Sequence, residues 1–342
     1  MSRTVGCIGG GQLGQMLALA GAPLGIRLRF LDPSRDACAG LAGELLVGAY
    51  DDPELLDRLA DGADAVTYEF ENVPLEAARR VHALPDARAL EHGQDRLVEK
   101  QLFRRLGIPT ARFGSLGEVG LPALVKTRRL GYDGKGQRVV ESRELIGEDE
   151  LAEEIISFER ELSILAVRGR DGATAFYPLV ENEHRDGILA VSRAPARNAP
   201  QGEAEEIATA LLDELGYVGV LAVELFEVDG GLLANEFAPR VHNTGHWTIE
   251  GAVTSQFENH LRAILGWPLR RTATFRTSVL INLVGSMPPM EQLSAVSAAH
   301  VAIHVYGKQP RPGRKLGHVT LVDASEDAVA EVAALASAAW VA

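Results

Sequence analysis

Short apolar strands alternate with amphipathic helices through the first third of the chain, and this order constrains the fold more than any other feature of the sequence. Residues 5–8, 27–31 and 64–70 have the apolar character of buried strands. Residues 12–22 and 76–84 between and after them have the pattern of helices. Because parallel strands are joined by crossover helices, the alternation predicts a doubly wound parallel sheet.

A glycine-rich turn joins the first strand to the first helix. Gly9, Gly11 and Gly14 have the spacing GxGxxG, and Asp32 ends the second strand at about the distance of a ribose-binding acid. The N-terminus of a helix presents free N–H groups, which suit phosphate or carboxylate alike. The motif alone is therefore compatible with a nicotinamide-dependent oxidoreductase, with another anionic ligand, or with a tight turn that binds nothing.

The rest of the chain has a different organisation. A helix over residues 95–106 ends at Gly107, and Pro109 prevents its continuation. Strands separated by glycine-rich turns then predict antiparallel sheet, and a smaller β-rich unit follows residue 267. Further strands are expected at 123–126, 138–141, 161–167, 175–180, 278–284, 301–306 and 318–322, with a helix at 203–215, a hairpin at 218–237 and a closing helix. The domains are expected at 1–94, 95–266 and 267–342.

Length, charge and cysteine content exclude several classes of protein. A chain of 342 residues exceeds one ordinary domain, and its net charge of −13 argues against a general nucleic-acid or anionic-membrane binder. The sequence has no apolar stretch of membrane-spanning length and no signal-peptide cleavage site, so we expect a cytoplasmic protein. Cys7 and Cys38 are expected to be reduced thiols.

A second glycine-rich loop is more specific than the first. Lys126 ends a strand, Arg128 and Arg129 follow it, and Lys135 lies among the glycines of residues 131–137. Such a loop can fold over a polyphosphate, whose charge the backbone N–H groups and the cations would meet. The spacing is not that of a Walker loop. A solvated basic hairpin is the alternative when the loop is considered alone.

The hairpin near residue 230 places two carboxylates opposite each other. If residues 229–231 form a three-residue turn, Glu224 lies directly across from Glu236, whereas a two-residue turn would shift the register by one. Like charges that face each other across a ladder need a cation or a proton between them. With the amide of Asn243 they form an all-oxygen site suited to Mg²⁺. Two exposed surface glutamates are the alternative.

Two basic segments are candidates for anion binding. Arg240 follows the hairpin in a polar run that is costly to bury without a ligand, and it could orient an anionic substrate. His242 and His246 are interpreted only as loop residues. Near the C-terminus, glycine and proline separate four cations within eight residues, which favours a phosphate cradle over a solvated turn; they are Lys308, Arg311, Arg314 and Lys315.

The motifs together resemble those of the ATP-grasp superfamily and, within it, of the ligases that carboxylate an aminoimidazole ribonucleotide. The resemblance runs from the first strand to the last. The segments that carry it are 9–14, 95–96, 100–103, 131–137, 177–179, 186–189, 235–243, 245–248 and 311–318.

The resemblance implies a mixed α/β and α+β fold in three parts: a Rossmann-like N-terminal domain, a two-lobed ATP-grasp domain and a small β-rich C-terminal domain. ATP would lie between the lobes, with Mg²⁺ held by Glu224 and Glu236. The implied ATP-binding residues are Arg96, Lys126, Gly131, Tyr132, Asp133, Gly134, Lys135, Gly136, Gln137, Glu153, Glu154, Ile155, Ile156, Glu161, His184, Asn235 and Glu236.

The resemblance also implies the second substrate and its site. The ribonucleotide would be held by Gly11, Gln12, Leu13, Tyr132, Asp133, Lys135 and the C-terminal cations, with either Glu69 or Glu71 facing it. The implied catalytic residues are Lys126, Tyr132, Asp133, Lys135 and Arg240. Lys135 stands where some relatives have arginine, so a bidentate contact there would be replaced by a single point charge. Gln15 stands where arginine is expected, which weakens the case for phosphate binding at that position.

The implied reaction is phosphoryl transfer from ATP to bicarbonate, followed by capture of the carboxyl carbon by the ribonucleotide amine. Charge neutralisation and positioning dominate such transfers, so lysines, arginines and Mg²⁺ suffice. Another ligase of the superfamily, of the formate-dependent glycinamide ribonucleotide transformylase or biotin carboxylase type, is the nearer alternative, and an oxidoreductase is the more distant one. The apolar N-terminal sheet favours a homodimer.

Overall fold

The N-terminal unit is the predicted parallel sheet with helices on both faces. The computed structural model describes residues 3–131, 134–142, 145–297 and 300–341. Four strands run parallel in the order β3-β2-β1-β4. Asp52 accepts from the backbone of Glu54 and Leu55 and so caps the second helix. The elements are β1 (Arg3–Ile8), α1 (Gln12–Gly21), β2 (Ile26–Asp32), β3 (Glu44–Val47), α2 (Pro53–Ala60), β4 (Ala65–Tyr68), α3 (Leu75–Arg80) and α4 (Ala87–Gly93).

The next unit is a small antiparallel lobe. Its strands are ordered β5-β8-β6-β7, and Asp95 caps its first helix by accepting from the N–H of Leu97 at 3.0 Å. Strand β8 was not predicted from the sequence, because three of its five residues are acidic. The elements are α5 (Arg96–Arg105), β5 (Phe113–Gly114), α6 (Leu116–Val119), β6 (Ala123–Thr127), β7 (Gln137–Val140) and β8 (Glu150–Glu154).

A nine-stranded sheet forms the centre of the molecule, and all of its paired strands are antiparallel, as expected. Its order is β14-β13-β9-β11-β12-β15-β17-β16, with β10 beside β9. The elements are β9 (Arg160–Arg168), β10 (Thr174–Phe176), β11 (Val180–Arg185), β12 (Ile188–Ala194), α7 (Gln201–Glu214), β13 (Gly219–Val228), β14 (Gly231–Ala238), α8 (Thr248–Gly251), α9 (Gln256–Ile264), β15 (Ser278–Val284), α10 (Met290–Ala295), β16 (Val301–Val305), β17 (Lys315–Val322) and α11 (Glu326–Ala338).

The C-terminal strands extend the central sheet instead of forming a separate one. Strand β15 pairs with β12 from Val191–Ile281 to Ala194–Ser278. This pairing covers the edge of β12, which would otherwise present unpaired N–H and C=O groups. The last third therefore contributes directly to the sheet that carries the glutamate hairpin.

The strand predicted at 175–180 is in fact two short strands. Strand β10 ends at Phe176 and β11 begins at Val180, and Pro178 between them has no N–H to give to a ladder. The helix α9 was also missed, because several of its buried residues are polar. One of them, His260, bonds Thr67 on β4 through Nε2 at 2.9 Å. Within the described ranges, the helices are too short or too polar to cross a membrane.

Candidate active site

The predicted opposition of two glutamates is confirmed. Glu224 pairs with Glu236, but the turn has two residues, since Val228 pairs with Gly231. Asp229 and Gly230 both have positive φ, as a tight hairpin turn requires. A bulge between Glu224 and Leu225 then adds one residue to β14 and restores the predicted register. The turn was predicted wrongly and its effect on the register is cancelled by the bulge.

The two carboxylates differ in protonation. Burial, with the nearby Glu236 carboxylate, raises the pKa of Glu224 to about 7. Burial would also raise the pKa of Glu236, but the Arg96 guanidinium, whose Nη1 lies 2.7 Å from Glu236 Oε2, holds it below its ordinary value. One member of the pair is thus an anion and the other is poised to become one when a cation arrives.

The oxygen atoms around the pair suit a hard cation. Glu224 Oε1 lies 3.5 Å from Nε2 of His242, and the next residue, Asn243, is buried with neither amide atom bonded within the described part of the chain. No group of three or more Asp, Glu, His or Cys side chains in the described ranges is arranged to hold a metal. Two carboxylates and an amide nevertheless fit a Mg²⁺ that shares its shell with phosphates and water.

Lys126 faces this pair from the small lobe. It is the penultimate residue of β6, it is buried, and its Nζ lies 2.9 Å from Oε2 of Glu153 on β8. Lys100 of α5 approaches the same oxygen at 3.5 Å. The Glu153 carboxylate, predicted to contact ATP, is therefore directed into a buried ion pair with two lysines.

The second glycine loop closes onto both lobes. A Cβ at Gly136 would lie 2.5 Å from Thr127 Oγ1, and its φ is +76°. A Cβ at Gly134 would lie 2.9 Å from the Cα of Gly187, in the turn between β11 and β12. Only glycine fits so close an approach of two backbones. Tyr132 and Asp133, predicted to bind ATP and ribonucleotide, lie outside the described residues.

The first two cations of that loop are engaged elsewhere. Arg128 bonds Asp95 through Nε at 3.1 Å and through Nη2 at 2.7 Å, and Arg129 Nε lies 3.2 Å from the same carboxylate. These contacts bind the base of the loop to the N-terminus of α5. The interpretation of Arg128 and Arg129 as phosphate-binding cations stays a prediction beside this structural role.

Further residues predicted to contact the nucleotide lie at the end of β8 and on the neighbouring strands β9 and β11. Glu154 pairs with the exposed Arg112 at 3.0 Å, and Ile155 is 44% exposed after the end of β8. Glu161 contacts His184 on the neighbouring strand. Burial would lower the pKa of His184, but the Glu161 and Glu224 carboxylates hold it above its ordinary value.

The first glycine motif binds a carboxylate of the chain itself. The N–H groups of Gly11 and Gly14 donate to Glu69, the latter at 2.8 Å. Asp32 accepts from Gly10 N at 2.9 Å and from the Tyr50 hydroxyl at 3.0 Å. The anion position and the ribose-binding acid are both engaged internally, so the two features that favoured an oxidoreductase have another explanation.

Residues predicted to bind the ribonucleotide come together from distant parts of the chain. Lys308 Nζ contacts Oε1 of Gln12, across 296 positions. Arg240 contacts Glu71 and donates to the Val241 carbonyl at 2.8 Å, and its Nε has no partner among the described residues. Leu13 is buried in α1, Arg311 is exposed, and Arg314 donates to the Gln309 carbonyl at 3.1 Å.

Helix α5 supplies two buried charges that the sequence analysis did not assign to the site. Glu99 accepts from Phe237 N at 2.7 Å, and burial with the nearby Glu236 raises its pKa to about 8. Lys100 is 1% exposed. Arg96 and Lys100 are one helical turn apart, and this spacing could have placed Lys100 on the same face of the helix as Arg96.

The fold and the site define the class. Two lobes with antiparallel sheets meet at a carboxylate pair, a buried lysine and a glycine loop, which is the architecture of an ATP-grasp enzyme. Family models match in three places: an ATP-grasp domain over residues 102–257, a ribonucleotide synthetase preATP-grasp domain over 1–94, and a phosphoribosylaminoimidazole carboxylase C-terminal domain over 278–332.

Individual relatives give the family. The N5-carboxyaminoimidazole ribonucleotide synthase of Pseudomonas aeruginosa is 49% identical over 98% of this chain and 99% of its own length. The solved synthetase from Thermus thermophilus superposes with a TM-score of 0.91 at 51% identity, covering 98% of each chain. The Aspergillus clavatus enzyme, solved with ADP and 5-aminoimidazole ribonucleotide, superposes with a TM-score of 0.87 at 31% identity and covers 98% of each chain. The chain belongs to the N5-carboxyaminoimidazole ribonucleotide synthase family and is an ATP-grasp ligase.

Proposed function

We propose that this chain carboxylates 5-aminoimidazole ribonucleotide with bicarbonate at the expense of ATP, giving N5-carboxyaminoimidazole ribonucleotide, ADP and phosphate in purine biosynthesis. The observation that carries the proposal is the opposed Glu224–Glu236 pair at the junction of the two lobes. The full-length match to relatives of this name supports the choice of acceptor. A relative solved with ADP and the ribonucleotide supports both ligands.

The nucleotide end of the site is proposed to bind ATP with Mg²⁺. Glu224, Glu236 and Asn243 would hold the ion, which would neutralise part of the phosphate charge when bound. Lys126 supplies a fixed ammonium from the small lobe, and the loop over Gly134 and Gly136 can cover the phosphates with backbone N–H groups. The assignments of Gly131, Lys135, Gln137, Glu154, Ile155, Ile156, Glu161, His184 and Asn235 to ATP remain proposals.

The chemistry needs positioning more than covalent participation by the protein. An oxygen of bicarbonate attacks the γ-phosphorus, the bond to ADP breaks, and carboxyphosphate forms. The exocyclic amine of the ribonucleotide then bonds the carboxyl carbon, phosphate leaves with the electron pair of the broken C–O bond, and the amine loses a proton. A closed loop shields carboxyphosphate from water, which would otherwise hydrolyse it.

The ribonucleotide is proposed to lie between the N-terminal unit and the C-terminal strands. The meeting of Gln12 with Lys308 brings an amide and a cation to one place, and the partly unbonded Arg240 guanidinium lies beside Glu71. Because Glu69 is engaged with the N-terminus of α1, Glu71 is the better candidate to face the substrate. Gly11, Leu13, Tyr132, Asp133, Arg311, Arg314 and Lys315 complete the proposed set.

Location, assembly and domain bounds are also proposals. Both cysteines are buried and free, which suits the cytoplasm. Helices cover both faces of the N-terminal sheet, so the apolar sheet itself no longer supports a homodimer. A homodimer remains a proposal from the sequence alone. The bounds 1–94, 95–266 and 267–342 are retained.

Product analysis tests the acceptor and the carbon source. The protein is incubated with MgATP, the ribonucleotide and ¹³C-bicarbonate, and the labelled carbon is followed by NMR. A parallel incubation contains ¹³C-formate in place of ¹³C-bicarbonate. We expect a new carbamate signal with bicarbonate and no new signal with formate. A formylated product, or labelled carbon transferred to an acceptor other than the ribonucleotide, would place the chain with a sister ligase.

A further inference from the structure

Helix α5 buries a lysine at the junction of the two lobes. Lys100 is 1% exposed, although an ammonium group is among the least favourable groups to remove from water. A buried charge of this kind needs a partner of opposite charge or a hydrogen-bond acceptor, and these contacts identify the segments that Lys100 joins. Lys100 lies outside the set of residues assigned above to ATP or to the ribonucleotide.

The contacts of Lys100 join both lobes. Its Nζ lies 2.9 Å from Thr110 Oγ1 and 3.5 Å from the Ala234 carbonyl, and Thr110 itself donates to Ala234 at 2.7 Å. Ala234 is two residues before Glu236 on β14 of the large sheet. On the other side, Lys100 Nζ lies 3.5 Å from Oε2 of Glu153, on β8 of the small lobe.

The same carboxylate oxygen binds Lys126. Lys126 Nζ lies 2.9 Å from Glu153 Oε2, whereas Glu153 Oε1 has no partner among the residues described. Two lysine side chains therefore share one carboxylate; burial lowers the pKa of Lys100, and the Glu153 carboxylate opposes that shift. With Glu153 ionised, the two lysines and the carboxylate together carry one net positive charge. Lys126 lies near the end of β6, the strand that leads into the glycine loop.

We propose that Lys100 is a positioning residue for phosphoryl transfer: it shares Glu153 with Lys126 so that the Lys126 ammonium keeps charge for the ATP phosphates, and it holds the strand that carries Glu236 against the small lobe. This rests on the proposed function for its catalytic consequence. Its consequence for nucleotide binding depends only on the ATP-grasp class.

The charge balance predicts the direction of the effect. Burial would raise the pKa of Glu153, but Lys100 and Lys126 hold it below its ordinary value, so the carboxylate is ionised. Without Lys100, Glu153 and Lys126 form a neutral pair. The phosphates then lose the attraction of one unit charge, which in a partly screened site is worth on the order of a tenfold change in affinity.

Removing Glu153 as well reverses the effect, and this distinguishes the proposal from simple loss of packing. In Lys100→Met with Glu153→Gln, Lys126 is again an unneutralised ammonium, so nucleotide affinity returns towards that of the unmodified chain. A lysine that only stabilised the fold would instead lower the free energy of unfolding of Lys100→Met and leave the Kd of the folded protein for MgADP unchanged.

The test compares four proteins: the unmodified chain, Lys100→Met, Glu153→Gln and the double variant. Calorimetry measures the Kd for MgADP, and steady-state kinetics measure kcat and KM for ATP. Lys100→Gln, which keeps a donor for Thr110, replaces Lys100→Met if that protein does not fold. Arg105→Met is the matched control, because Arg105 lies on the same helix in an exposed pair with Glu214.

We expect Lys100→Met to weaken MgADP binding about tenfold and to lower kcat, with most of the affinity recovered in the double variant. Affinity within twofold of the unmodified chain, or losses that add in the double variant, would overturn the proposal. If the unmodified chain binds MgADP but does not carboxylate the ribonucleotide, the proposed reaction fails while the binding comparison still decides the role of Lys100.

Discussion

Arg96 donates from Nη1 to Oε2 of Glu236 across 2.7 Å, and this contact joins the first residue of helix α5 to the second strand of the carboxylate hairpin. Arg96 keeps Glu236 ionised beside Glu224, whose pKa is raised to about 7 by burial and by Glu236. The pair is therefore asymmetric, and Glu236 is the member already prepared to bind a cation.

The first prediction concerns that glutamate. Glu236→Gln keeps the shape of the side chain but removes the charge that Mg²⁺ needs, so turnover should fall at least about a hundredfold, as for other lost electrostatic groups at reacting phosphates. Steady-state ADP release at saturating MgATP measures it, with circular dichroism to confirm folding. Glu227→Gln, on the same hairpin but paired with Arg160, is the control. Normal turnover in Glu236→Gln would contradict the metal assignment.

The second prediction concerns the glycine loop. In Gly136→Ala the new Cβ would lie 2.5 Å from Thr127 Oγ1, at a φ of +76° that alanine disfavours, so the loop must move away from the end of β6. We expect KM for ATP to rise about tenfold or more. Gly202→Ala in helix α7 has open space at the same atom and serves as the control. Equal KM values for the two variants would show that the loop does not need this close approach.

The third prediction separates the two substrates. Lys308 contacts Gln12 of the proposed ribonucleotide site, so Lys308→Ala should raise KM for the ribonucleotide about tenfold or more and change KM for ATP little. Initial rates with each substrate varied in turn provide the measurement. Equal rises in both constants would count against a ribonucleotide site at this position.

The fourth prediction is a pH dependence of stability. Burial would raise the pKa of Asp95, but the Arg128 guanidinium holds it below its ordinary value, so the ion pair stabilises the fold above about pH 4 and its contribution disappears as the pH falls through the folded-state pKa. Asp95→Asn should lower stability by about 1–3 kcal/mol at pH 7.

Thermal unfolding at several pH values measures this difference. The difference in unfolding free energy between Asp95→Asn and the unmodified chain should become smaller below about pH 4. Asp57→Asn, which loses only the exposed pair with Arg80, is the control. A gap that stays constant down to about pH 3 would show that Asp95 acts through something other than its charge.

Much of the site could be predicted because it depends on local pattern. The alternation of strands and helices determines the parallel sheet, and counting along the hairpin brought Glu224 and Glu236 together. That success needed a bulge to cancel a wrong turn length, since Val228 pairs with Gly231. Bulges depend on packing of both sheet faces, which a single strand does not reveal.

What could not be predicted depends on contacts between distant segments. The helix N-terminus at Gly11 indicated an anion, but the carboxylate that occupies it comes from Glu69, 58 positions away. Lys100 resembles any surface lysine of a helix until Glu153 and Thr110 are placed beside it. The ion pairs of Arg128 and Arg129 could not be predicted, because the acid that binds them, Asp95, precedes a helix 33 positions earlier than Arg128.

The central claim is that the junction of the two lobes transfers the γ-phosphoryl group of ATP only when the ribonucleotide acceptor is used. ADP release from MgATP with bicarbonate, measured with and without 5-aminoimidazole ribonucleotide, tests it most directly. We expect ADP release that rises steeply when the ribonucleotide is added and that is lost in Glu236→Gln. Binding of MgATP with no increase in ADP release on adding the ribonucleotide would contradict it.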